Sequence, residues 1–206
     1  MGFRIGLGFD SHAFKKGVPL VLGGLKIDHP EGLAGHSDGD LLLHAITDAL
    51  LGAVSAGDIG TFFPPTDPKW KGADSTVFLK TALEEIALVG FKIVNIDCVL
   101  IMHKPKIVPL AGDLRERVAD LLSLDVNNVS IKGKTPEGLK QDTTAVAHVV
   151  VLLESIDLPN QHKRLHALAD VPNEAEVEAA IAAVSQPHDI RALGRKIPTF
   201  DTDDLT

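Results

Sequence analysis

Residues 4–12 read RIGLGFDSH, a stretch that combines a strand pattern with two candidate metal ligands. Its first six residues favour a β-strand. Successive side chains of a strand point to opposite sides, so Asp10 and His12 project to the same side. A carboxylate and an imidazole placed together in this way are candidate metal ligands. The alternative is that both residues lie at an ordinary exposed end of a strand.

A second polar cluster, GHSDGDLLLH, occupies residues 35–44 and leads into an apolar helical pattern. Ser37, followed three residues later by Asp40, is close to a capping box. This pattern predicts a helix that starts at Ser37, runs to about residue 55 and carries His44 in its first turns. The helix therefore offers a second histidine close to the strand that precedes it in the chain.

Asp10, His12 and His44 supply one oxygen and two nitrogen ligands if this strand and helix pack together. A fourth position then stays open, which is typical of a reactive zinc site rather than a structural one. Asp40 and Asp48 lie four residues on either side of His44, on the same helical stripe. Either carboxylate is placed to orient the imidazole, although helix capping explains Asp40 equally well.

His36 and Ser37 lie where the backbone N–H groups at the predicted start of the helix point outward. Such a position predicts an anion site suited to a phosphate. The simpler alternative is that Ser37 only caps the helix and that His36 is solvated. Asp58, in the turn GDIG at residues 57–60, either caps that turn or accepts hydrogen bonds from substrate hydroxyl groups.

The loop KTPEGL at residues 134–139 offers a different combination of groups. Lys134 and Thr135 suit phosphate oxygens, whereas Glu137 repels them unless a divalent cation lies between. A second, oxygen-liganded ion such as Mg²⁺ is therefore implied if this loop faces phosphates. The stretch MHKPKIV at residues 102–108 favours either a pocket for a flat ring or an ordinary turn between a strand and a helix.

Composition limits the classes of function. The chain has 206 residues, of which 45% are hydrophobic and 23% charged, which suits a globular domain with a sizeable core. Its formal charge of −8 argues against broad binding to nucleic acids or anionic membranes. Cys98 is the only cysteine, so no internal disulfide is possible and a reducing compartment is favoured. No leader segment and no apolar run of about 18 residues is present, so we expect a cytoplasmic protein without a membrane span.

The pattern of apolar and turn-forming residues predicts an α+β domain over residues 1–154, with a mixed sheet and helices on one face. The predicted strands are residues 4–9, a hairpin at 19–27, then 91–102, 126–132 and 143–153; the further predicted helices are 75–89 and 110–122, and residues 57–72 and 134–142 are predicted loops. The final strand is apolar on both sides, which predicts a subunit interface on the side away from the helices. Residues 155–206 form an extension with a predicted helix at 173–184 and no assigned function.

These motifs together resemble the 2-C-methyl-D-erythritol 2,4-cyclodiphosphate synthase family over about residues 4–154. The segments that carry the resemblance are GFDSH at 8–12, AGHSDGD at 34–40, HAITDALLG at 44–52, GDIG at 57–60, FP at 63–64 and TDP at 66–68. The resemblance implies a homotrimer with active sites between subunits. It also implies a lyase of the non-mevalonate isoprenoid pathway that converts 4-diphosphocytidyl-2-C-methyl-D-erythritol 2-phosphate to the 2,4-cyclodiphosphate and CMP.

The resemblance also implies roles for individual residues. Asp10, His12 and His44 bind zinc, and the substrate is contacted by Asp10, His12, His36, Ser37, Asp58, Gly60 and Asp67. Catalysis falls on Asp58, Lys134, Thr135 and Glu137, with Lys134 and Thr135 on the diphosphate and Glu137 on a second ion, Mg²⁺ or Mn²⁺. The cytosine pocket is formed by Met102, Pro105, Lys106, Ile107 and Val108.

This chain departs from the family pattern at several positions. Members often carry Asp at Pro65 and Thr at Lys134. They also carry Gly-Arg-Gly-Glu-Gly where residues 143–147 read TTAVA, a change that removes polar groups, including those for an anion-ended ligand, from the expected trimer axis. Two other functions fit the same residues: a zinc phosphohydrolase that directs water at phosphorus, and a non-catalytic trimeric scaffold whose extension recruits a partner.

Overall fold

A computed structural model describes residues 2–137 and 143–156 of the chain. Over this part the fold is α+β, as predicted, with a mixed sheet and helices on one of its faces. The strands are Phe3–Lys16 (β1), Leu20–Leu22 (β2), Leu25–Ile27 (β3), Glu31–Leu33 (β4), Phe91–Ile101 (β5), Val129–Lys134 (β6) and Thr144–Ser155 (β7). The helices are Leu41–Ala53 (α1), Ile59–Phe62 (α2), Thr76–Leu88 (α3) and Ala111–Leu122 (α4). The predicted helix at 173–184 and the rest of the extension after Ile156 lie outside the described residues.

The main sheet of the described residues has the strand order β4-β1-β7-β5-β6. Strands β5 and β6 are parallel, and the other neighbouring strands are antiparallel. The parallel pair is possible because α4 provides the crossover between its two strands. Strand β7 lies between β1 and β5, so the last described strand in the chain occupies the middle of the sheet.

Two glycines of β1 allow α1 to pack directly on the strand. A Cβ atom at Gly6 would lie 1.8 Å from the carbonyl oxygen of Ala49, and one at Gly8 would lie 1.8 Å from that of Ala45. No side chain fits at such distances, so only glycine permits this contact. The close approach of helix and strand brings His44 of α1 next to Asp10 and His12 of β1.

Asp40, rather than the predicted Ser37, is the N-cap of α1. Its fully buried carboxylate accepts hydrogen bonds from the backbone N–H groups of Leu42 and Leu43, at 3.1 and 3.0 Å. It also accepts from Gly23 and Gly24 at the tip of the β2–β3 hairpin, at 2.9 and 2.6 Å. Burial raises the pKa of Asp40, and these N–H groups act in the opposite direction. One side chain thus joins the hairpin to the helix, which is why the cap lies three residues later than predicted.

Other element boundaries differ from the predictions where distant contacts decide them. Strand β1 continues to Lys16 because its last residues pair with β4, a short strand that the sequence pattern did not indicate. The loop predicted at residues 57–72 contains α2 and a 3₁₀ turn at Pro68–Trp70, and Asp58 and Asp67 cap these two turns. Residues Val126–Asn128 form a 3₁₀ turn before β6 instead of being part of that strand.

The two faces of the sheet differ in what covers them. Helices cover one face, where the inner side chains of β7 are buried: Ala145, Ala147, Val149, Val151 and Leu153. On the opposite face, large apolar side chains are exposed within the described part of the chain: Phe3, Ile5, Leu7, Phe9 and Val150. None of the helices in that part is long and apolar enough to cross a membrane.

Candidate metal centre

Strand β1 and helix α1 bring Asp10, His12 and His44 together, as the sequence predicts. Oδ2 of Asp10 lies 2.8 Å from Nε2 of His12 and 3.0 Å from Nδ1 of His44. The two ring nitrogens are 3.2 Å apart. Within residues 2–137 and 143–156, these three form a group of side chains that could hold a metal ion.

The ligand atoms suit a small divalent ion. In a tetrahedral site with bonds of about 2.1 Å, neighbouring ligand atoms lie about 3.4 Å apart. The observed separations of 2.8–3.2 Å are slightly shorter, so small side-chain movements accommodate an ion. One carboxylate and two imidazoles are hard and borderline ligands, which suit zinc and related ions. Three protein ligands leave room for a further ligand from outside the chain.

The ring of His12 is oriented by the backbone. Its Nδ1 atom makes a short hydrogen bond to the carbonyl oxygen of Ala34. A carbonyl can only accept, so Nδ1 carries the hydrogen and Nε2 faces Asp10 with its lone pair when the ring is neutral. Without a cation or a proton between them, this lone pair and the carboxylate oxygen would repel each other.

The close contact of Asp10 with the two histidines shifts the pKa values of the site. Burial alone would raise the pKa of Asp10, but its hydrogen bonds and charge interactions with His12 and His44 hold that pKa well below its usual range. Burial would lower the pKa of His12, but the hydrogen bond and charge of Asp10 raise it instead. Asp10 is therefore an anion at neutral pH, which is the state that a metal ligand requires.

The three side chains open into a pocket of about 240 Å³. His36, Ser37 and Gly60, which are predicted substrate contacts, also line it. The predicted position of His36 and Ser37 at the first turn of the helix is wrong, because α1 begins at Leu41 and Asp40 occupies its first N–H groups. The hydroxyl of Ser37 instead lies 3.0 Å from Nε2 of His44.

An aromatic wall that sequence analysis did not identify closes one side of this pocket. Phe63, Trp70 and Phe78 are among its lining residues. Phe63 lies between the other two rings, with centroids 4.8 Å from Trp70 and 4.5 Å from Phe78. The sequence signal was weak, because the three residues are spread over two turns and a helix and form no periodic pattern.

Three carboxylates near the pocket serve local structure. Asp58 accepts hydrogen bonds from the N–H and hydroxyl of Thr61, so the capping alternative describes its contacts, and it is not among the residues that line the pocket. Asp67 caps the 3₁₀ turn in a similar way. Asp48 does line the pocket, but it accepts from the backbone of Ile59 at 2.8 Å and does not orient His44. Burial raises the pKa of Asp48, against the effect of that N–H donor.

A second pocket, of about 400 Å³, lies at the ends of β5 and β6. Its lining comprises Met102, Lys106, Ile107, Val108, Gly133, Lys134, Thr135 and Glu137. Seven of these eight residues are predicted site residues, whereas Pro105, which follows a cis peptide bond, is not among them. The hydroxyl of Thr135 donates to the carboxylate of Glu137 at 2.5 Å.

The two pockets have no lining residue in common. Strands β7 and β5 separate β1, which carries Asp10, from β6, which ends at Lys134. Three strand spacings of about 4.8 Å place the two strands about 14 Å apart. The two pockets of one chain are therefore separate sites.

Sequence analysis also missed the group that contacts the far side of His44. The hydroxyl of Ser75 lies 2.9 Å from Nε2 of His44 and donates to Oδ1 of Asp38 at 2.5 Å. The sequence placed Ser75 at the start of a helix, where serine is a common N-cap, so the pattern gave no sign of this contact.

Comparisons with known proteins bear on the whole described domain. The YgbB family matches residues 3–154. The 2-C-methyl-D-erythritol 2,4-cyclodiphosphate synthase of Koribacter versatilis is 62% identical over 151 residues, which are 73% of this chain and 97% of that protein. The enzyme of the same name from Aquifex aeolicus is 50% identical over 153 residues, 74% of this chain and 98% of that protein. A solved structure of a 2C-methyl-D-erythritol-2,4-cyclodiphosphate synthase bound to CDP has a TM-score of 0.70 and 43% identity, and covers 73% of this chain and 100% of its own.

Proposed function

The chain belongs to the YgbB family, and from this membership we propose that it acts as a 2-C-methyl-D-erythritol 2,4-cyclodiphosphate synthase. The substrate is 4-diphosphocytidyl-2-C-methyl-D-erythritol 2-phosphate, and the products are the cyclodiphosphate and CMP. The observation that carries the proposal is the convergence of Asp10, His12 and His44 in a pocket that His36 and Ser37 also line. The enzyme is a phosphorus–oxygen lyase.

The reaction needs positioning more than proton transfer. An oxygen of the 2-phosphate attacks the β-phosphorus, and the bond from that phosphorus to the oxygen bridging it to the α-phosphate breaks. CMP leaves with the electron pair. The attacking phosphate is already ionised at neutral pH, so the site does not require a strong general base. It requires an in-line arrangement and compensation of the repulsion between phosphates.

Asp10, His12 and His44 are the residues that would hold zinc. When bound there, zinc would supply a Lewis acid for a phosphate oxygen of the substrate. The fixed orientation of His12, set by Ala34, keeps the ligand atoms together before any substrate arrives. Ser37 and His36 line the same pocket and would donate hydrogen bonds to phosphate oxygens of the substrate.

The second pocket suits the cytidine end of the substrate. Met102, Ile107 and Val108 offer apolar contacts for a flat base, and Lys134 and Thr135 offer donors for the diphosphate. Glu137 would hold a second ion, Mg²⁺ or Mn²⁺, whose positive charge would offset the negative charge of the diphosphate. Asp58, Gly60 and Asp67 remain candidates for contacts to the erythritol unit and the adjacent phosphate.

A homotrimer with active sites between subunits explains why the two pockets are separate. A diphosphate is much shorter than the roughly 14 Å between β1 and β6. We therefore infer that the metal pocket of one subunit meets the cytidine pocket of its neighbour. The exposed apolar face supports the assembly, because Ile5 and Leu7 are 70% and 66% exposed in the isolated chain. Such a patch is typical of a protein–protein interface.

A product assay tests the proposed function. The full-length protein, loaded with zinc, is incubated with the cytidyl substrate and Mg²⁺, and the products are identified by ³¹P NMR. We expect the cyclic diphosphate and CMP in equal amounts. A linear diphosphate would favour the zinc phosphohydrolase, and no turnover would favour the scaffold. Protein treated with a chelator is the control and should release no CMP. A cytoplasmic location is part of the proposal and rests on the reduced state expected for Cys98.

A further inference from the structure

The two histidines of the metal centre present different nitrogens to the ion. His12 uses Nε2, because its Nδ1 is bound to the carbonyl of Ala34. His44 uses Nδ1, which lies 3.0 Å from Asp10, so its Nε2 points away from the centre. A metal-bound histidine donates its other N–H to a nearby acceptor, and this acceptor fixes the ring and its tautomer. The acceptor for His12 is a backbone carbonyl, whereas the groups within hydrogen-bond distance of Nε2 of His44 are side-chain hydroxyls.

Two hydroxyl groups compete for this position. Nε2 of His44 lies 2.9 Å from Oγ of Ser75 and 3.0 Å from Oγ of Ser37. Ser75 is completely buried, whereas Ser37 lines the pocket and is only partly buried. Distance alone does not separate the two contacts, but their other partners do.

The hydroxyl hydrogen of Ser75 is already donated to a carboxylate. Its hydroxyl donates to Oδ1 of Asp38 at 2.5 Å, and Oδ2 of Asp38 accepts from the backbone N–H of Ser75 at 3.0 Å. The oxygen of Ser75 therefore has only lone pairs left for His44. The contact with His44 is a hydrogen bond only if Nε2 carries the hydrogen, and in that tautomer Nδ1 has a free lone pair for the metal.

The position of Ser75 supports a specialised role. It occupies the N-cap position of α3, yet its side chain makes no capping hydrogen bond. Asp74 takes over the start of this helix, because its carboxylate accepts from the N–H and hydroxyl of Thr76. Ser75 does not cap its helix and is instead buried against a metal ligand, which indicates a functional constraint.

We propose that Ser75, held by Asp38, is a positioning residue that fixes the tautomer and orientation of His44 for metal binding. The proposal deepens the proposed function and rests on the metal site that it assigns. It also separates the roles of the two serines, because Ser37 keeps its hydroxyl hydrogen for a phosphate of the substrate. Neither Asp40 nor Asp48 can replace Ser75, since their carboxylates are bound to the backbone groups described above.

Zinc affinity measured without substrate tests this role. Metal-free full-length protein competes with a chromophoric chelator for Zn²⁺, and the unsubstituted chain is compared with Ser75→Ala and Ser37→Ala. We expect Ser75→Ala to weaken zinc binding about 10–100-fold. Ser37→Ala, which removes a hydroxyl at the same distance from the same nitrogen, should change it by less than about threefold. Equal effects of the two substitutions, or no effect of Ser75→Ala, would overturn the proposal.

A double-mutant cycle tests the link to Asp38. Asp38→Asn should weaken zinc binding, and adding it to Ser75→Ala should cause little further loss, because both act through one chain of hydrogen bonds. Additive losses would contradict this arrangement. Because no substrate is present, a dependence on Ser75 would stand even if the product assay yielded no cyclic diphosphate.

A spectroscopic measurement on the unsubstituted protein keeps the test valid if Ser75→Ala does not fold. In zinc-loaded protein labelled with ¹⁵N-histidine, we expect the Nε2–H of His44 to exchange slowly with water, because it donates to a buried hydroxyl. Rapid exchange of that hydrogen would overturn the proposal.

Discussion

Strand β1 carries opposite kinds of side chain on its two faces. Toward the helices it presents Gly6 and Gly8, and after them Asp10 and His12; away from the helices it presents exposed residues such as Leu7. The first face is covered by α1 of the same chain, which adds His44 to the two candidate metal ligands of the strand. The second face is apolar but has no cover within the described residues. One face of the strand is therefore satisfied within its own chain, whereas the apolar side chains of the other face remain exposed and available to the proposed assembly.

The substitution with the largest expected effect on stability tests how tightly α1 packs on the first face. Gly8→Ala adds a Cβ atom that would lie 1.8 Å from a backbone oxygen of α1, so helix and strand must separate. We expect a loss of more than about 4 kcal/mol in the free energy of unfolding, or no folded protein. Gly112→Ala is the matched control, because nothing lies within 4 Å of its Cβ, and it should change stability by less than about 1 kcal/mol. Urea unfolding measures both; equal midpoints would show that the contact is not tight.

Neighbouring residues on the two faces of β1 should differ in their effect on zinc binding. His12→Ala removes a metal ligand and should lower zinc affinity by more than about 100-fold. Ser11→Ala, one residue earlier and on the opposite face, should leave zinc affinity unchanged, because the side chain of Ser11 is exposed. Chelator competition measures both variants. Full zinc binding by His12→Ala would remove the basis of the metal assignment.

The second, exposed face of β1 is tested by introducing a charge at Leu7. Leu7→Glu should dissociate the proposed trimer, because burying a carboxylate in an apolar interface is unfavourable, while the helical content of the subunit should stay the same. Leu88→Glu on α3 is the matched control, since Leu88 is 67% exposed and Leu7 is 66% exposed. We expect that control to stay trimeric. Sedimentation velocity and circular dichroism measure the two quantities; a trimeric Leu7→Glu would place the interface elsewhere.

The smallest expected effect on stability concerns α3, one of the helices on the first face. The hydrogen bonds that Thr76 donates lower the pKa of Asp74, so its stabilising effect is full above the unfolded pKa of about 3.9. That effect is lost as the pH falls through the lower pKa of the folded state. Asp74→Ala should cost about 1 kcal/mol at pH 7 and progressively less below pH of about 4. Thermal unfolding across this range checks the trend, and a penalty that grows toward low pH would contradict it.

The sequence allowed most of the fold to be predicted because its periodic patterns are local. The strands around Phe91 and Thr144 and the helices near Thr76 and Ala111 lie close to their predicted bounds. The start of α1 was not predictable, because Asp40 is fixed by the distant hairpin tip as well as by its own helix. Contacts of this kind leave no periodic pattern.

The candidate site was also predictable only in part. Asp10 and His12 are two residues apart on a strand, so their shared direction follows from the spacing alone. The contact between Ser75 and His44 joins residues 31 positions apart, and only the packing of α3 against α1 creates it. The sequence indicated that the second face is apolar. The subunit that would cover this face stays a prediction, because a single chain does not identify it.

The central place of β7 has a consequence for protein synthesis. Strand β1 and strand β5 both pair with β7 and not with each other. While the ribosome is still adding residues before Thr144, two long strand edges therefore lack their neighbour. Unpaired edges of this kind invite association with other chains. These two edges stay exposed until β7 has been synthesised and inserts between them.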